Sequence, residues 1–143
     1  MKKQIFSSAA EVEAAFYEAL ARSDLEAMMS VWAEDEEVVC IHPDGPRQVG
    51  LAAVRESWRQ LFSGDLRLVV RTAHQVVSAS MLLTVHSVIE HISVEGDDRL
   101  HPPTIATNTY VRGALGWRMV MHHASTTPEV TDLSGQDPHR VVH

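Results

Sequence analysis

The sequence contains one cysteine, Cys40, and no apolar run of the length that a membrane span needs, which is about 20 residues. One cysteine cannot form a disulfide within the chain, so a reducing compartment, the cytoplasm, is the expected setting. The residues after Lys2 and Lys3 lack the apolar segment of a secretory signal, and we therefore expect no signal peptide.

Positive charge is also scarce. Twelve Lys and Arg residues stand against 19 Asp and Glu, the formal net charge is -7, and no basic stripe is visible. Nucleic acid and anionic membranes are therefore not expected partners. The nine histidines include no His-x-His or His-Glu-x-x-His spacing, so we predict no metal and no cofactor. A metal site assembled in space from His42, His91 and His123 is the alternative.

The first half of the chain predicts three helices. Ser8 followed by Glu11 fits a capping box, and the apolar spacing that follows predicts a helix over about 8–22. Asp24 can cap a second, shorter helix, whose apolar stripe ends at Trp32. A third helix is expected from Leu51 to Phe62.

The second half predicts a sheet. A short strand pair surrounds a Pro-Asp-Gly-Pro turn in the first half, and four long strands follow at about 66–78, 81–95, 102–112 and 117–126. Their connections are short, which forces antiparallel neighbours. Helices first and a meander second indicate the α+β class, in one domain over residues 1–127. Residues 128–143 are polar and are expected to form a flexible tail.

The last strand, Trp117 to Ser125, is apolar on both faces and is therefore expected at the centre of its sheet. Period-two alternation separates the two faces. One face carries Trp117, Met119, Met121, His123 and Ser125, and the other carries Arg118, Val120, His122 and Ala124.

Three segments carry a resemblance to a known fold. They are Val38–Pro43, Val49–Val54 and the Trp-x-x-Val-x-x-His-x-Ser pattern over 117–125. Together with the order of elements over about 8–127, they resemble the nuclear transport factor 2-like superfamily. The match is closest to its SnoaL-like branch, which also includes kinase association domains.

The resemblance implies a cone-shaped barrel, in which a strongly curved antiparallel sheet wraps around the three N-terminal helices. It also implies an apolar pocket on the concave side and a homodimer through the open face of the sheet. We expect the His123 face of the last strand to line the pocket, and the face with Val120, His122 and Ala124 to meet the partner subunit.

His123 is the first candidate for chemistry, because imidazole exchanges protons near neutral pH. A hydrogen-bonded core histidine is the alternative. The predicted ligand-binding residues are Trp32, His42, Trp58, Asn108, Tyr110, Met121 and Ser125. The two tryptophans are equally explained by packing, and the polar strand residues by cross-strand pairing.

Steroid isomerases and polyketide cyclases of this fold use a pocket carboxylate as a base. The last strand has no Asp or Glu, and Glu90 is the only acid well inside the meander. We therefore expect a small-molecule-binding protein for an apolar or carbonyl-containing ligand, with catalysis left open. If it is an enzyme, an isomerase or cyclase that moves a proton next to a carbonyl is expected, with His123 as base. The alternative is a non-catalytic association module with a vestigial pocket.

Overall fold

The computed structural model describes residues 4–64, 66–99 and 101–127. The helices are α1 (Ala9–Arg22), α2 (Leu25–Ser30) and α3 (Leu51–Leu61). The strands are β1 (Val39–Ile41), β2 (Arg47–Val49), β3 (Leu68–Ala79), β4 (Leu83–Val94), β5 (Thr104–Gly113) and β6 (Gly116–Thr126). The predicted elements and the α+β class are confirmed. The predicted tail, 128–143, lies outside the described residues.

Local signals begin the first two helices as the sequence predicts. The Ser8 hydroxyl accepts a hydrogen bond from the backbone N–H of Glu11, and the Asp24 carboxylate accepts one from Ala27. These bonds satisfy backbone donors that have no partner inside the helix. Within the described part of the chain, no helix combines the length and the apolar character that membrane crossing requires.

The six strands form one curved sheet in the order β2-β1-β6-β5-β4-β3. Strands β3 to β6 are the predicted antiparallel meander, and β1 pairs in parallel with β6. The expectation that the last strand is central is confirmed, because β6 lies between β1 and β5. The sheet curves around the helices, and its concave side holds the buried core.

A bulge in β6 changes which side chains face the helices. Met119 and Met121 lie opposite consecutive residues of β5, so Val120 is an extra residue in the strand. An extra residue shifts the alternation by one position, and every side chain beyond it changes face.

The bulge corrects one prediction about the pocket. His122 and Ala124 are buried on the concave side, whereas His123 and Ser125 are exposed on the convex side. The predicted inner face is therefore right at Met119 and wrong beyond the bulge. Period-two alternation over nine residues contains no sign of such an insertion.

The turn between β5 and β6 gives a test of the packing at this end of the sheet. Gly116 has a φ of 86°, and an added Cβ would lie 2.6 Å from the backbone oxygen of Phe6. Gly116→Ala should therefore lower the free energy of unfolding by about 2 kcal/mol or more.

Gly96 is the matched control, because its φ of 84° is nearly the same and an added Cβ there meets nothing within 4 Å. Gly96→Ala should lower stability less in the same urea titration. Equal losses in the two variants would contradict the proposed contact with Phe6.

Candidate functional site

Polar side chains line the concave side of the two middle strands. Alternate residues of β4 and β5 face inward, and most of them are almost fully buried. The polar ones are Thr84, His86, Glu90, Thr104, Asn108 and Tyr110. The expected apolar interior is therefore interrupted by a row of groups that can donate, accept or titrate.

Helix α1 packs against these strands and adds two more polar groups. Glu13 and Tyr17 lie one turn apart on the same face of the helix, and both are buried. Their partners His86 and Glu90 are also four residues apart, on one face of β4. At about 3.3 Å per residue, this spacing separates the two contacts by about 13 Å along the strand.

The contact between Tyr17 and Glu90 belongs to a hydrogen-bonded series that we call the Glu90 chain. Its members, in order, are His122, Asn108, Tyr17, Glu90 and Thr104. The Tyr17 hydroxyl donates to Oε2 of Glu90 at 2.7 Å, and the Thr104 hydroxyl donates to Oε1 at 2.7 Å. The amide of Asn108 donates to the Tyr17 oxygen at 2.9 Å. Both carboxylate oxygens are thus held by hydroxyl groups.

Burial determines the protonation of Glu90. Desolvation raises the pKa of its carboxyl, and the negative charge of Glu13 adds to the effect, while the hydrogen bonds from Tyr17 and Thr104 oppose it. Burial, followed by the charge of Glu90, raises the pKa of Tyr17 well above its ordinary range. Tyr17 therefore remains a hydrogen-bond donor, and Glu90 can exchange a proton closer to neutral pH.

His122 ends the Glu90 chain at β6. Its Nδ1 lies 2.6 Å from the Asn108 side-chain oxygen, and since that oxygen only accepts, Nδ1 carries the proton. Burial, with smaller contributions from the charges of His42 and His123, lowers the pKa of His122 to about 3. The imidazole is therefore neutral at pH 7, and Nε2 presents a lone pair.

An aromatic cluster lies beside this end of the Glu90 chain, around Trp58 of α3. The ring centres of His42, Phe62, Phe16 and His122 lie 4.5, 5.5, 5.6 and 6.1 Å from that of Trp58. Such ring pairs stabilise a core beyond the area that they bury.

His42 is partly exposed, as is Phe62 of the same aromatic cluster. Its Nε2 lies 3.2 Å from the Ser57 hydroxyl, which itself donates to the backbone oxygen of Val54. Burial lowers the pKa of His42, so the ring is neutral near pH 7.

Cys40, two residues before His42, is buried. Burial, followed by the charge of Glu90, raises the pKa of its thiol to about 12. The thiol is therefore protonated near pH 7.

A second polar group, which we call the Glu13 cluster, lies one helical turn before Tyr17 along α1. It consists of Glu13, Gln75, His86 and Tyr110. Nδ1 of His86 and the amide of Gln75 both contact the Glu13 carboxylate. The Tyr110 hydroxyl donates to the same carboxylate at 2.8 Å. Burial and then the Glu13 charge raise the pKa of Tyr110 above its ordinary range, so the phenol stays protonated.

The structure divides the predicted site residues into three groups. Asn108 belongs to the Glu90 chain, Tyr110 to the Glu13 cluster, and His42 and Trp58 to the aromatic cluster. Trp32 is buried in the core. His123 and Ser125 are on the exposed side of β6, and Met121 is half-buried outside the three groups.

Glu13 and Tyr17 of α1 are site residues that the sequence analysis missed. Glu13 lies four residues before Tyr17 and four after Ala9, on the side of α1 that faces the sheet. That helical spacing was the available signal, but a carboxylate beside an apolar stripe is more often solvated. His122 was placed on the wrong face because of the bulge.

The alternative metal site is not formed. Among residues 4–64, 66–99 and 101–127, no three His, Cys, Asp or Glu side chains converge as metal ligands. His42, His91 and His123 therefore do not form a metal site.

Solved structures share this fold. A Thiobacillus denitrificans protein, named for the calcium/calmodulin-dependent protein kinase type II association domain, is 37% identical, with a TM-score of 0.77 over 87% of this chain and 98% of its own. A Streptomyces avermitilis protein, named as a dehydratase of the NTF2-like family, is 27% identical, with a TM-score of 0.75 over 84% and 94% of the two chains. A Nostoc punctiforme protein with a cystatin-like fold is 11% identical, with a TM-score of 0.71 over 87% and 96%.

No curated protein matches the chain significantly. The family comparison is decisive, because the SnoaL-like domain matches residues 10–129. That span includes both buried carboxylates and all six strands. The chain therefore belongs to the SnoaL-like domain family, within the nuclear transport factor 2-like fold.

Proposed function

We propose that the chain binds a small carbonyl-containing ligand on the concave side of the sheet and moves a proton next to the carbonyl. The observation that carries this proposal is Glu90, a buried carboxyl with a raised pKa that is held by two hydroxyl donors. A carboxylate tuned in this way suits general acid–base chemistry without a cofactor.

In the proposed step, the Glu90 carboxylate takes a proton from the carbon next to the carbonyl. The electron pair of the broken C–H bond moves to the carbonyl oxygen, which becomes an enolate. Tyr17 stays protonated and can turn its hydroxyl toward that oxygen. Return of the proton to another carbon completes an isomerisation. Glu90 thereby takes the role of base that the sequence analysis gave to His123.

The aromatic cluster is the proposed wall of the binding site. Phe62 is half-buried, as are Leu68, Val70 and Ile92 at the ends of β3 and β4 that lie nearest to Glu90. Partly buried apolar side chains around a titratable group are typical of ligand sites. His42, neutral and partly exposed, would orient the ligand.

Packing alone is a weaker explanation for these residues. Glu13, His86, Glu90 and His122 are each less than 5% exposed. Burial of ionisable groups costs several kcal/mol per charge, and apolar replacements of similar size are often neutral or stabilising. The presence of these four ionisable side chains in the core is therefore better explained by a chemical role than by a contribution to stability.

An association module is the second candidate. It is favoured by the protein that is 37% identical and named for a kinase association domain. In this alternative the product of the fold is the oligomer, and the concave side performs no reaction. The fold accommodates either role.

Both candidates include a homodimer through the convex side of the sheet. That side exposes large apolar residues, and unpaired apolar surface of this kind marks interaction sites. They are Val69, Val76, Leu83 and Ile105. The face predicted to meet the partner is corrected, since His122 and Ala124 point inward and His123 lies outside.

Deuterium exchange tests the proposed reaction. The wild-type protein should accelerate exchange of the protons next to the carbonyl of 1-indanone in D2O, measured by mass spectrometry. Glu90→Gln should reduce this acceleration by roughly 100-fold, because a general base contributes at least that much.

The exposed Glu95, which directly follows the same strand, supplies the matched control, Glu95→Gln. Native mass spectrometry of the purified protein measures whether a small molecule is bound and how many subunits the oligomer contains. Exchange no faster than in buffer, with an intact oligomer and no bound molecule, would favour the association module.

The pH dependence of stability tests the environment of Glu90. Its folded pKa is raised, so between the unfolded pKa and the folded pKa the folded state binds more protons than the unfolded state. This group therefore stabilises the fold at low pH, and its contribution is lost as pH rises above the ordinary value of 4.5. Glu90→Gln should remove that decline from urea unfolding curves measured at several pH values. A decline of equal size in the variant would contradict the assignment.

The convex surface gives a test of the dimer. Ile105→Lys places a charge on the exposed apolar face and should convert the dimer into a monomer in light scattering. Val49→Lys, at a similarly exposed position on β2, should leave the dimer intact. A dimer that survives Ile105→Lys would place the interface elsewhere.

A further inference from the structure

The Glu13 cluster has features of a second site that the proposed reaction does not use. His86 is 4% exposed, and its Nδ1 contacts the Glu13 carboxylate. A carboxylate only accepts, so in the neutral imidazole Nδ1 carries the proton and Nε2 has the lone pair. Within the described part of the chain, no group forms a hydrogen bond with Nε2. Among the described residues, the side-chain nitrogens that are both shut off from water and without a partner are Nε1 of Trp32 and Nε1 of Trp58. Nε2 of His86 is therefore unpartnered but reaches solvent.

The backbone of β3 is irregular beside this cluster. Two residues, His74 and Gln75, lie opposite the single residue Val88 of β4, which is a β-bulge. His74 has a φ of 52°, a left-handed conformation that a non-glycine residue rarely adopts. The bulge directs the exposed Gln75 inward to Glu13. Bulges and strained residues that redirect a side chain are concentrated at functional sites.

This end of the concave side is open to solvent. Val77 pairs with His86 and therefore faces inward, yet it is 52% exposed. Ala79 pairs with Thr84 and is also exposed. A small molecule can therefore approach the cluster past Val77 and Gln75.

We propose that Glu13 and His86 form a second proton-transfer site, which accepts the hydroxyl proton of a small phenol or enol. The O–H bond of the ligand breaks as its proton moves to Nε2 of His86, and the oxygen keeps the electron pair. Glu13 stabilises the imidazolium that forms, and Tyr110 holds Glu13 in place. The returning proton restores the ligand, so no other reactant is consumed.

The chemistry of the cluster favours this ligand class. An imidazole can deprotonate a hydroxyl of comparable acidity, such as a phenol or an enol, whereas an aliphatic alcohol is far too weak an acid. The ring of a phenol can pack on Val77 and beside the Tyr110 and His86 rings, whose centres are 5.0 Å apart. The anion that forms is neutralised by the imidazolium.

Binding of 4-nitrophenol tests the inference, because the phenolate of this probe absorbs visible light and the phenol does not. At a pH where the free probe is mostly phenol, excess wild-type protein should give about threefold more phenolate, equivalent to about half a unit in the probe's pKa. Glu13→Gln should bind the probe without the colour change, since a neutral amide cannot stabilise imidazolium. His86→Gln should also abolish the change.

His123→Gln is the matched control, because it removes an exposed histidine from the convex side. Circular dichroism confirms that each variant is folded, and if His86→Gln does not fold, Glu13→Gln decides alone. Glu90→Gln separates the two sites: it should stop exchange into 1-indanone and leave the colour change in place. No colour change with wild type, or an equal one in Glu13→Gln, would overturn the inference.

Discussion

The contact between α1 and strands β4 and β5 is the constraint on which the rest of the structure depends. Glu13 and Tyr17 extend from one face of the helix toward the concave side of the sheet, and both side chains are buried there. Each must find partners, because an unpaired buried carboxylate or hydroxyl costs more than a typical hydrogen bond contributes. His86, Tyr110 and Gln75 satisfy the first, and Glu90 and Asn108 satisfy the second. These hydrogen bonds thus fix both the position of α1 on the sheet and its rotation about its own axis.

These paired contacts also give the concave side two chemically different ends. At one end, Glu90 is held by neutral hydroxyl groups and continues through Asn108 to the neutral His122 and the aromatic cluster. At the other end, Glu13 is paired directly with an imidazole beside an open edge of β3. A carboxyl surrounded by hydroxyl groups suits exchange with a carbon acid, and a carboxylate–imidazole pair suits exchange with a more acidic hydroxyl.

Much of the fold could be predicted from the sequence, whereas the arrangement of the site could not. Helix caps at Ser8 and Asp24 and short hairpin connections are local signals, and they gave the order and class of the elements. The inward row of Thr104, Ala106, Asn108 and Tyr110 also followed from alternation. The bulge at Val120 did not, because one extra residue leaves no local pattern, and it exchanged the roles of His122 and His123. The position of Glu13 depends on how α1 docks, which is a long-range property. The family resemblance implies a carboxylate on a late strand, whereas the buried carboxylates of the structure are on β4 and α1.

The most direct test of the account is a site-resolved 13C NMR titration of the Glu90 side-chain carboxyl in the intact protein. Burial beside Tyr17 and Glu13 raises its pKa, so the account predicts a midpoint above the ordinary 4.5 for glutamate. Tyr17→Phe should move the midpoint higher still, because it removes a hydrogen bond that favours the carboxylate. A midpoint at or below the ordinary value would show that Glu90 is a fixed structural carboxylate, and it would contradict its role as the proton-exchanging group.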